Sequence, residues 1–228
     1  MKSIELLDML RSKPTFKIQD VERVAHCNRN YAKQIVNRLK KRKLIKRVRR
    51  NVYTTKDNIF VIASNIIYPS YVSFWSASYF LGYTEQIVNT IQVATTRRIK
   101  PIKFKNYEMK FVPLKHFFGY KKMLTNEGEI FIVEDEKLLI DAFLKPNECG
   151  NFDEIEKMFE DAKISKEKII DYLKRTGKQA VIKRVGVLLE KIKGYDISKF
   201  FSLDKNYVLL NPFSKKWKKI NSKWRVKL

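Results

Sequence analysis

Apolar residues recur at helical spacing through the first quarter of the chain, then break into shorter runs of mixed period. From Ser3 to Arg11, Ile4, Leu7 and Leu10 fall on one side of a first helix, and Pro14 ends the connection after it. Ile18, Val21 and Val24 set a second short helix over Ile18 to Ala25, and the turn Ala25-His26-Cys27-Asn28 leads into a third. Asn28 suits the N-cap, because its side-chain oxygen can accept from amides that the first helical turn leaves unpaired. From there to about Lys43, Ala32, Ile35, Val36 and Leu39 fall at i, i+3, i+4 and i+7 and make one inward stripe. Asn30, Lys33, Gln34, Asn37, Arg38 and Lys41 are left on the opposite face. Leu44-Ile45 then returns to the core. Lys46 to Arg50 runs through Asn51 into Val52-Tyr53, a short two-stranded wing with Arg49 and Arg50 near its tip. Helix, short helix, tight turn, basic helix and β-wing is the winged helix-turn-helix order.

The remaining pattern mixes both periods. Asp57 or Asn58 starts a helix over Ile59 to Ile67, stopped by Pro69, and Ser73 caps another over Phe74 to Leu81, ended by Gly82. The aromatics of that second helix, Phe74, Trp75, Tyr79 and Phe80, read as core. Ile91 to Thr95 predicts a strand alternating in and out, and Ile102 to Phe104 with Glu108 to Val112 a hairpin turning at Asn106-Tyr107. Glu129 to Val133 predicts a strand that runs directly into a helix, Asp135 to Leu144, stopped by Pro146. Helical spacing follows over Phe152 to Ala162, Ser165 to Thr176 and Lys178 to Glu190, closed by Gly194. Tyr207 to Leu210 and Trp224 to Val226 suit terminal strands. The expected class is α+β. An N-terminal winged helix-turn-helix over 1–57 precedes a mixed α/β C-terminal domain over 58–228, with a small sheet and a helical segment.

Charge changes this picture most in the first segment. The chain carries 48 Lys and Arg against 24 Asp and Glu, a net +24. Residues 1–57 hold 17 basic and 5 acidic groups, so half of the net charge sits in the first quarter. From Asn28 to Arg50 there are eleven Lys or Arg and no acid. Such a run is ordinarily a solvated helix face, but this one has no balancing carboxylates and includes two further Asn and a Gln. Amides can pair bidentately with adenine, and cations with guanine or phosphate. Asn30, Lys33, Gln34, Asn37 and Arg38 are therefore candidates for base and nearby phosphate contacts, while Lys41, Arg49 and Arg50 would grip the backbone. The expected partner is double-stranded DNA. A membrane surface is the other polyanion, but no helix here joins a basic face to an exposed aromatic one.

Elsewhere, residues 97–122 carry nine basic groups and one acid, residues 127–171 fourteen acids and six bases, and Pro212 to Leu228 seven bases and no acid. The first of these strips, interleaved with aromatics, reads either as an extension of a nucleic-acid surface or as a β-hairpin with one wet face. An apolar fraction of 44% and 29 aromatics suffice for real cores. The opening MKSIELLDMLRSK lacks an apolar stretch of signal-peptide type, and no apolar run approaches the length of a membrane span, so a cytoplasmic location is expected. Cys27 and Cys149 stand alone without zinc spacing and read as reduced and packed. His26, in a turn, reads as a polar surface residue or a phosphate contact.

Several segments together resemble a known family. Tyr71-Val72-Ser73-Phe74-Trp75-Ser76-Ala77-Ser78, followed by Leu81-Gly82-Tyr83-Thr84-Glu85-Gln86, is similar to the "YVS..SAL...GLT.Q" segment of AbiEi-type antitoxins of abortive-infection toxin–antitoxin systems. Ile91 to Thr96 sits where that family has its "I.VAT" strand, and Glu136-Lys137-Leu138-Leu139-Ile140-Asp141 resembles its "EKALLD". Arg184 to Glu190 resembles "R.GYLLE", and Lys223-Trp224-Arg225-Val226 the terminal "RW.L". Order and spacing carry the resemblance, since each motif is mostly apolar packing. It implies a regulator that represses its own promoter, typically at inverted repeats, and a C-terminal domain linked to neutralising a nucleotidyltransferase-like toxin. Glu136, Lys137, Asp141 and Arg184 enter as family-motif positions without an assigned role. Some members act without a toxin gene, as transcription factors alone.

An enzyme is the rival class. Asp135-Glu136-Lys137 forms a D-x-K triplet after a strand, as in Mg²⁺-dependent nuclease cores, which need a further acid such as Glu108 or Glu129. Glu136, Lys137 and Asp141 equally suit a set of ion pairs at a helix start, where acids favour the positive end of the dipole. No catalytic set, Gly-rich phosphate loop, metal-ligand spacing or cofactor motif is evident elsewhere. The reading at this point is a DNA-binding regulator without catalytic, metal or cofactor residues.

Overall fold

The computed structural model describes residues 3–228, with side chains from Glu5 onward. The expected inward side chain of Ile4 lies outside the described residues. The class is α+β. By packing, the chain divides into two compact units. One holds the described residues up to Val72 with Asn89–Leu114 and Lys122–Ile132; the other holds Ser73–Val88, Lys115–Lys121 and Val133–Leu228. Residue 57 lies inside the first unit, which joins the N-terminal helices to most of the strands that follow.

In that unit α1 (Ser3–Arg11), α2 (Ile18–Ala25) and α3 (Arg29–Lys41) precede a hairpin of β1 (Lys46–Arg49) and β2 (Val52–Thr54). Leu6, Leu7, Leu10, Phe16, Ile18, Val21, Ala32, Val36, Leu39, Ile45 and Tyr53 form one core, against which Val24 and Ile35 are partly buried. Leu44 does not join it: contrary to expectation its side chain is exposed, and Ile45 alone turns inward. The cause is the helix ending. Lys43 takes a left-handed conformation and the Leu44 amide donates back to the Leu39 carbonyl at 3.0 Å, so α3 stops at Lys41 rather than Lys43 and Leu44 is carried outward. Phe16 and Tyr53 exchange backbone hydrogen bonds of 2.9 and 2.8 Å and stack their rings, which fixes the hairpin on the helices.

α4 (Ile59–Asn65) follows, its N-cap Asn58 accepting from the Phe60 and Val61 amides. It leads to β3 (Ser70–Val72), a buried strand that lies inside a six-stranded mixed sheet. The other strands are β4 (Thr90–Thr95), β5 (Ile102–Phe104), β6 (Tyr107–Pro113), β7 (Tyr120–Thr125) and β8 (Gly128–Val133), in the order β5-β6-β4-β3-β8-β7. β4 runs antiparallel to β3 and parallel to β6. Its residues from Ile91 to Thr95 are all buried, so the expected in-and-out alternation is wrong: a central strand with both faces covered has no wet side. The β5–β6 turn falls on Lys105-Asn106, one residue earlier than expected, because Phe104 pairs with Tyr107 and Lys105 takes the positive φ.

In the second unit α5 (Phe74–Phe80) begins after Ser73, but the Ser73 hydroxyl does not cap it; it donates to Asp141 Oδ2 at 2.9 Å. α6 (Asp135–Leu144) has the expected limits, and α7 (Phe152–Asp161), α8 (Lys166–Thr176) and α9 (Gln179–Leu188) follow, the last continuing as a π-turn to Lys193 before Gly194. β9 (Val208–Leu209), β10 (Ile220–Asn221) and β11 (Val226–Lys227) form a small sheet ordered β10-β11-β9. Its β10 was not anticipated, nor were β3 and β7. Among the described residues no helix is long and apolar enough to cross a membrane.

Candidate nucleic-acid interface

Asn28 begins the site by accepting the Tyr31 amide at 2.9 Å, which sets the first turn of α3. The turn before it is equally ordered. His26 is exposed in a left-handed conformation, and the Cys27 amide donates to the Glu22 carbonyl at 3.1 Å, closing α2 three residues before α3 opens. With Ala32, Val36 and Leu39 held in the core, a rotation of about 100° per residue distributes the rest of α3 over three ridges. Farthest from the core stand Asn30, Gln34, Asn37 and Lys41, at i, i+4, i+7 and i+11, all exposed. One flank carries Arg29 and Lys33. The other carries Tyr31, Arg38 and Arg42, beside Leu6 and Ala25, in a shallow hollow of about 270 Å³. The expected outward residues are thus all exposed, but they divide: three amides and one lysine on the crest, arginines and lysines on the slopes.

Between the Arg29–Lys33 slope and the hairpin lies a groove of about 550 Å³, lined by Ile18, Arg29, Lys33, Asn37, Arg47 and Arg50 together with Val36, Asn51 and Tyr53. Arg29 and Arg47 were not picked out from the sequence. Arg29 sits at the first helical position one turn before Lys33, and Arg47 alternates with the buried Val48, so the two periodicities contained the signal. Arg50 and Asn51 form the tip of the hairpin, where Asn51 tolerates its φ of +60°. The Asn51 side chain ties that tip to α2: its Oδ1 accepts the Ile18 amide and its Nδ2 donates to Gln19 Oε1, each at 3.3 Å. Arg49 differs from Arg50. A bulge after Arg47 shifts the register, leaving Arg49 half-buried with its Nε enclosed and without a hydrogen-bond partner.

No cation of α3 makes an ion pair among the described residues. Two acids of this unit, Asp20 and Asp57, are held by lysines outside α3. Burial raises the Asp20 pKa, but hydrogen bonds from Lys13 Nζ at 2.6 Å and the Lys17 amide outweigh it and hold the carboxyl below its ordinary range. Asp57 is held low by Lys105 and then Lys46, whose ammonium groups both meet its Oδ1. The interface therefore presents uncompensated positive charge around a crest of neutral amides.

The family-motif residues are all in the second unit. Lys137 and Asp141, one turn apart on α6, form an ion pair with both side chains fully buried, and Lys137 Nζ also lies 5.0 Å from the centre of the Phe118 ring. Glu136 accepts the Ser165 amide at 2.8 Å and pairs with Lys168 at 3.5 Å, which docks α6 against the start of α8. Arg184 Nε donates to the Leu209 carbonyl at 2.7 Å, joining α9 to β9. Asp135 accepts the Tyr83 hydroxyl. In the D-x-K triplet, then, Asp135 opens a helix, and the Lys137 side chain is fully buried against Asp141. Among the described residues no group of three or more His, Cys, Asp or Glu gathers as a metal site. No protein-family model matches the chain, and no curated protein matches it.

Proposed function

We propose that this chain is a double-stranded-DNA-binding transcriptional regulator whose first three helices and hairpin act as a winged helix-turn-helix. The observation that carries the reading is the crest of Asn30, Gln34 and Asn37 on α3, with Lys41 at its end and the Arg29, Lys33, Arg47 and Arg50 groove beside it. Amides on a protruding helix suit adenine edges in a major groove, and cations on the slopes suit phosphates on either side. Arg38 on one slope, and Arg49 and Arg50 on the hairpin, complete the backbone grip. The resemblance to AbiEi-type antitoxins extends the proposal: the chain represses its own promoter at inverted repeats, and the segments after residue 57 counter a nucleotidyltransferase-like toxin. Without such a toxin the same reading leaves a stand-alone transcription factor.

The test is binding to the chain's own upstream DNA against random DNA of equal length, titrated across salt with and without Mg²⁺. The expected result is a site-specific, metal-independent complex that leaves the DNA intact. Mg²⁺-dependent cleavage would replace the regulator by a nuclease. Asn37→Ala should cost about 1–3 kcal/mol at the cognate site alone. An equal loss on random DNA would remove Asn37 from the base-reading crest.

A further inference from the structure

The strip of cations between Arg97 and Lys105 is not used by the helix and hairpin. It leads out of β4 and along β5, the edge strand of the six-stranded sheet, and Arg97, Arg98, Lys100 and Lys103 are all exposed. None of these four makes an ion pair among the described residues. β5 packs beside β1 in the same compact unit as α3. The junction is explicit: Asp57 binds Lys46, at the base of the hairpin, and Lys105, at the end of β5, through one carboxylate oxygen. Lys46 of the hairpin and Lys105 at the end of β5 are thus neighbours across the Asp57 carboxylate.

Two carboxylates along this path, Asp57 and Glu127, are engaged, and a third, Glu108, lies across the strand pair from Lys103 without an ion pair to it. Asp57 faces two ammonium groups, and Glu127 Oε2 accepts the Asp57 and Asn58 amides at 2.6 and 2.9 Å. Asn89, Asn106 and Tyr107, with Thr90 and the acid Glu108, line a groove of about 340 Å³ beside Lys103 and Lys105, where the two Asn amides and the tyrosine hydroxyl suit phosphate or sugar oxygens.

We infer that the β4–β5 loop and β5 form a second contact with the DNA backbone, flanking the site read by α3. This rests on the DNA-binding reading above and enlarges its footprint on one side. The contact is to phosphate and sugar, so it adds affinity and salt sensitivity and no sequence discrimination.

The experiment compares the full chain with a variant carrying Arg97→Ala, Arg98→Ala, Lys100→Ala and Lys103→Ala, after melting and circular dichroism confirm that it is folded. A control carries Lys205→Ala, Lys215→Ala, Lys216→Ala and Lys218→Ala, four exposed lysines of the second unit. Affinity for the upstream DNA and for random DNA is measured across salt, with hydroxyl-radical protection of the bound site. The first variant should flatten the log–log salt slope by about two to three units, at ~0.9 for each phosphate no longer neutralised. It should also lose protection on one flank while the cognate-to-random ratio stays within about twofold. The control should keep slope and footprint. An unchanged slope and footprint in the first variant, or equal flattening in the control, overturns the flanking contact and leaves the helix and hairpin reading standing. A wild-type chain that forms no complex with DNA overturns both.

Discussion

On α3, Lys33, Lys40 and Lys41 stand exposed and make no ion pair among the described residues, whereas on α6 Lys137 is wholly buried against Asp141 and the Phe118 ring. Lys183 on α9 repeats the second case: no part of its side chain is exposed, and its ammonium meets Asp204 Oδ1 at 2.6 Å and the Asn206 carbonyl. The ammonium group is the same, but its environment decides what it does. An exposed, unpaired cation keeps its hydration and its charge, and is free to exchange counterions for a polyanion. A buried one has lost its water, and only a fixed partner makes its charge tolerable, so it organises the chain around it. Lys137 and Lys183 are thus part of the packing, whereas Lys33, Lys40 and Lys41 stay in solvent.

The strongest challenge to that contrast is Asp141→Ala. It leaves Lys137 buried without its carboxylate and Ser73 without its acceptor, and the expected loss is about 3–5 kcal/mol in denaturant unfolding. Lys33→Ala should shift the same transition by less than about 0.5 kcal/mol while weakening DNA binding. A loss below about 1 kcal/mol for Asp141→Ala would show that the pair is not a buried charge cluster, and the contrast would fail. Gly186→Ala tests the architecture without touching charge. A Cβ at this position would overlap the Trp224 ring, which is fully buried and donates its indole N–H to Glu190 at 2.6 Å. Overpacking of this kind should cost about 1–3 kcal/mol, read as a lower melting temperature with DNA affinity unchanged.

The smallest expected effect sharpens the comparison through pH. Burial, followed by the nearby Lys137, Lys178 and Lys115, pushes the His116 imidazole below its ordinary value, although Asp141 pulls the other way. As pH falls through about 6.5, the unfolded chain takes up a proton that the folded chain resists, so stability present at neutral pH declines towards pH 5. His116→Gln should flatten the stability profile between pH 7 and 5. A profile that keeps its slope would assign that decline to other groups.

What the sequence made legible follows from how many residues each signal spans. The stripe of α3 repeats over three turns and starts at a side chain that can cap it, so helix, register and outward residues were all readable from spacing. β3 is three residues long and buried throughout; a period of two cannot be seen in three apolar positions, and the strand was missed. β4 was found but turned into an amphipathic strand, because alternation was assumed where sheet neighbours and packing cover both faces. Within the candidate site, Arg29 and Arg47 escaped notice because the groove brings a helix slope and a strand face together across seventeen intervening residues. Lys137 shows a different limit. The ion pairing of Glu136, Lys137 and Asp141 at a helix start was readable, but its burial was not, because Phe118 and Gly119, which cover Lys137, and Ser73, which bonds Asp141, come from distant segments. The segments that carry the family resemblance behave similarly: Ser73 reaches Asp141, and Gly186 makes room for Trp224, so their joint spacing encodes packing.

The tie from Asn51 to the start of α2 bears on binding before any ligand arrives. A two-stranded wing on a flexible turn would sample many openings, and closing it on a polyanion would cost conformational freedom. Here the tip is fastened by one amide accepting from Ile18 and donating to Gln19, while Phe16 and Tyr53 fasten its middle. The distance between Arg50 and the slope of α3 is thus settled during folding. Under the proposed DNA-binding reading the groove would act as a caliper set to one width, selecting a nucleic acid by the shape of the backbone that fits between its jaws as well as by the bases beneath it.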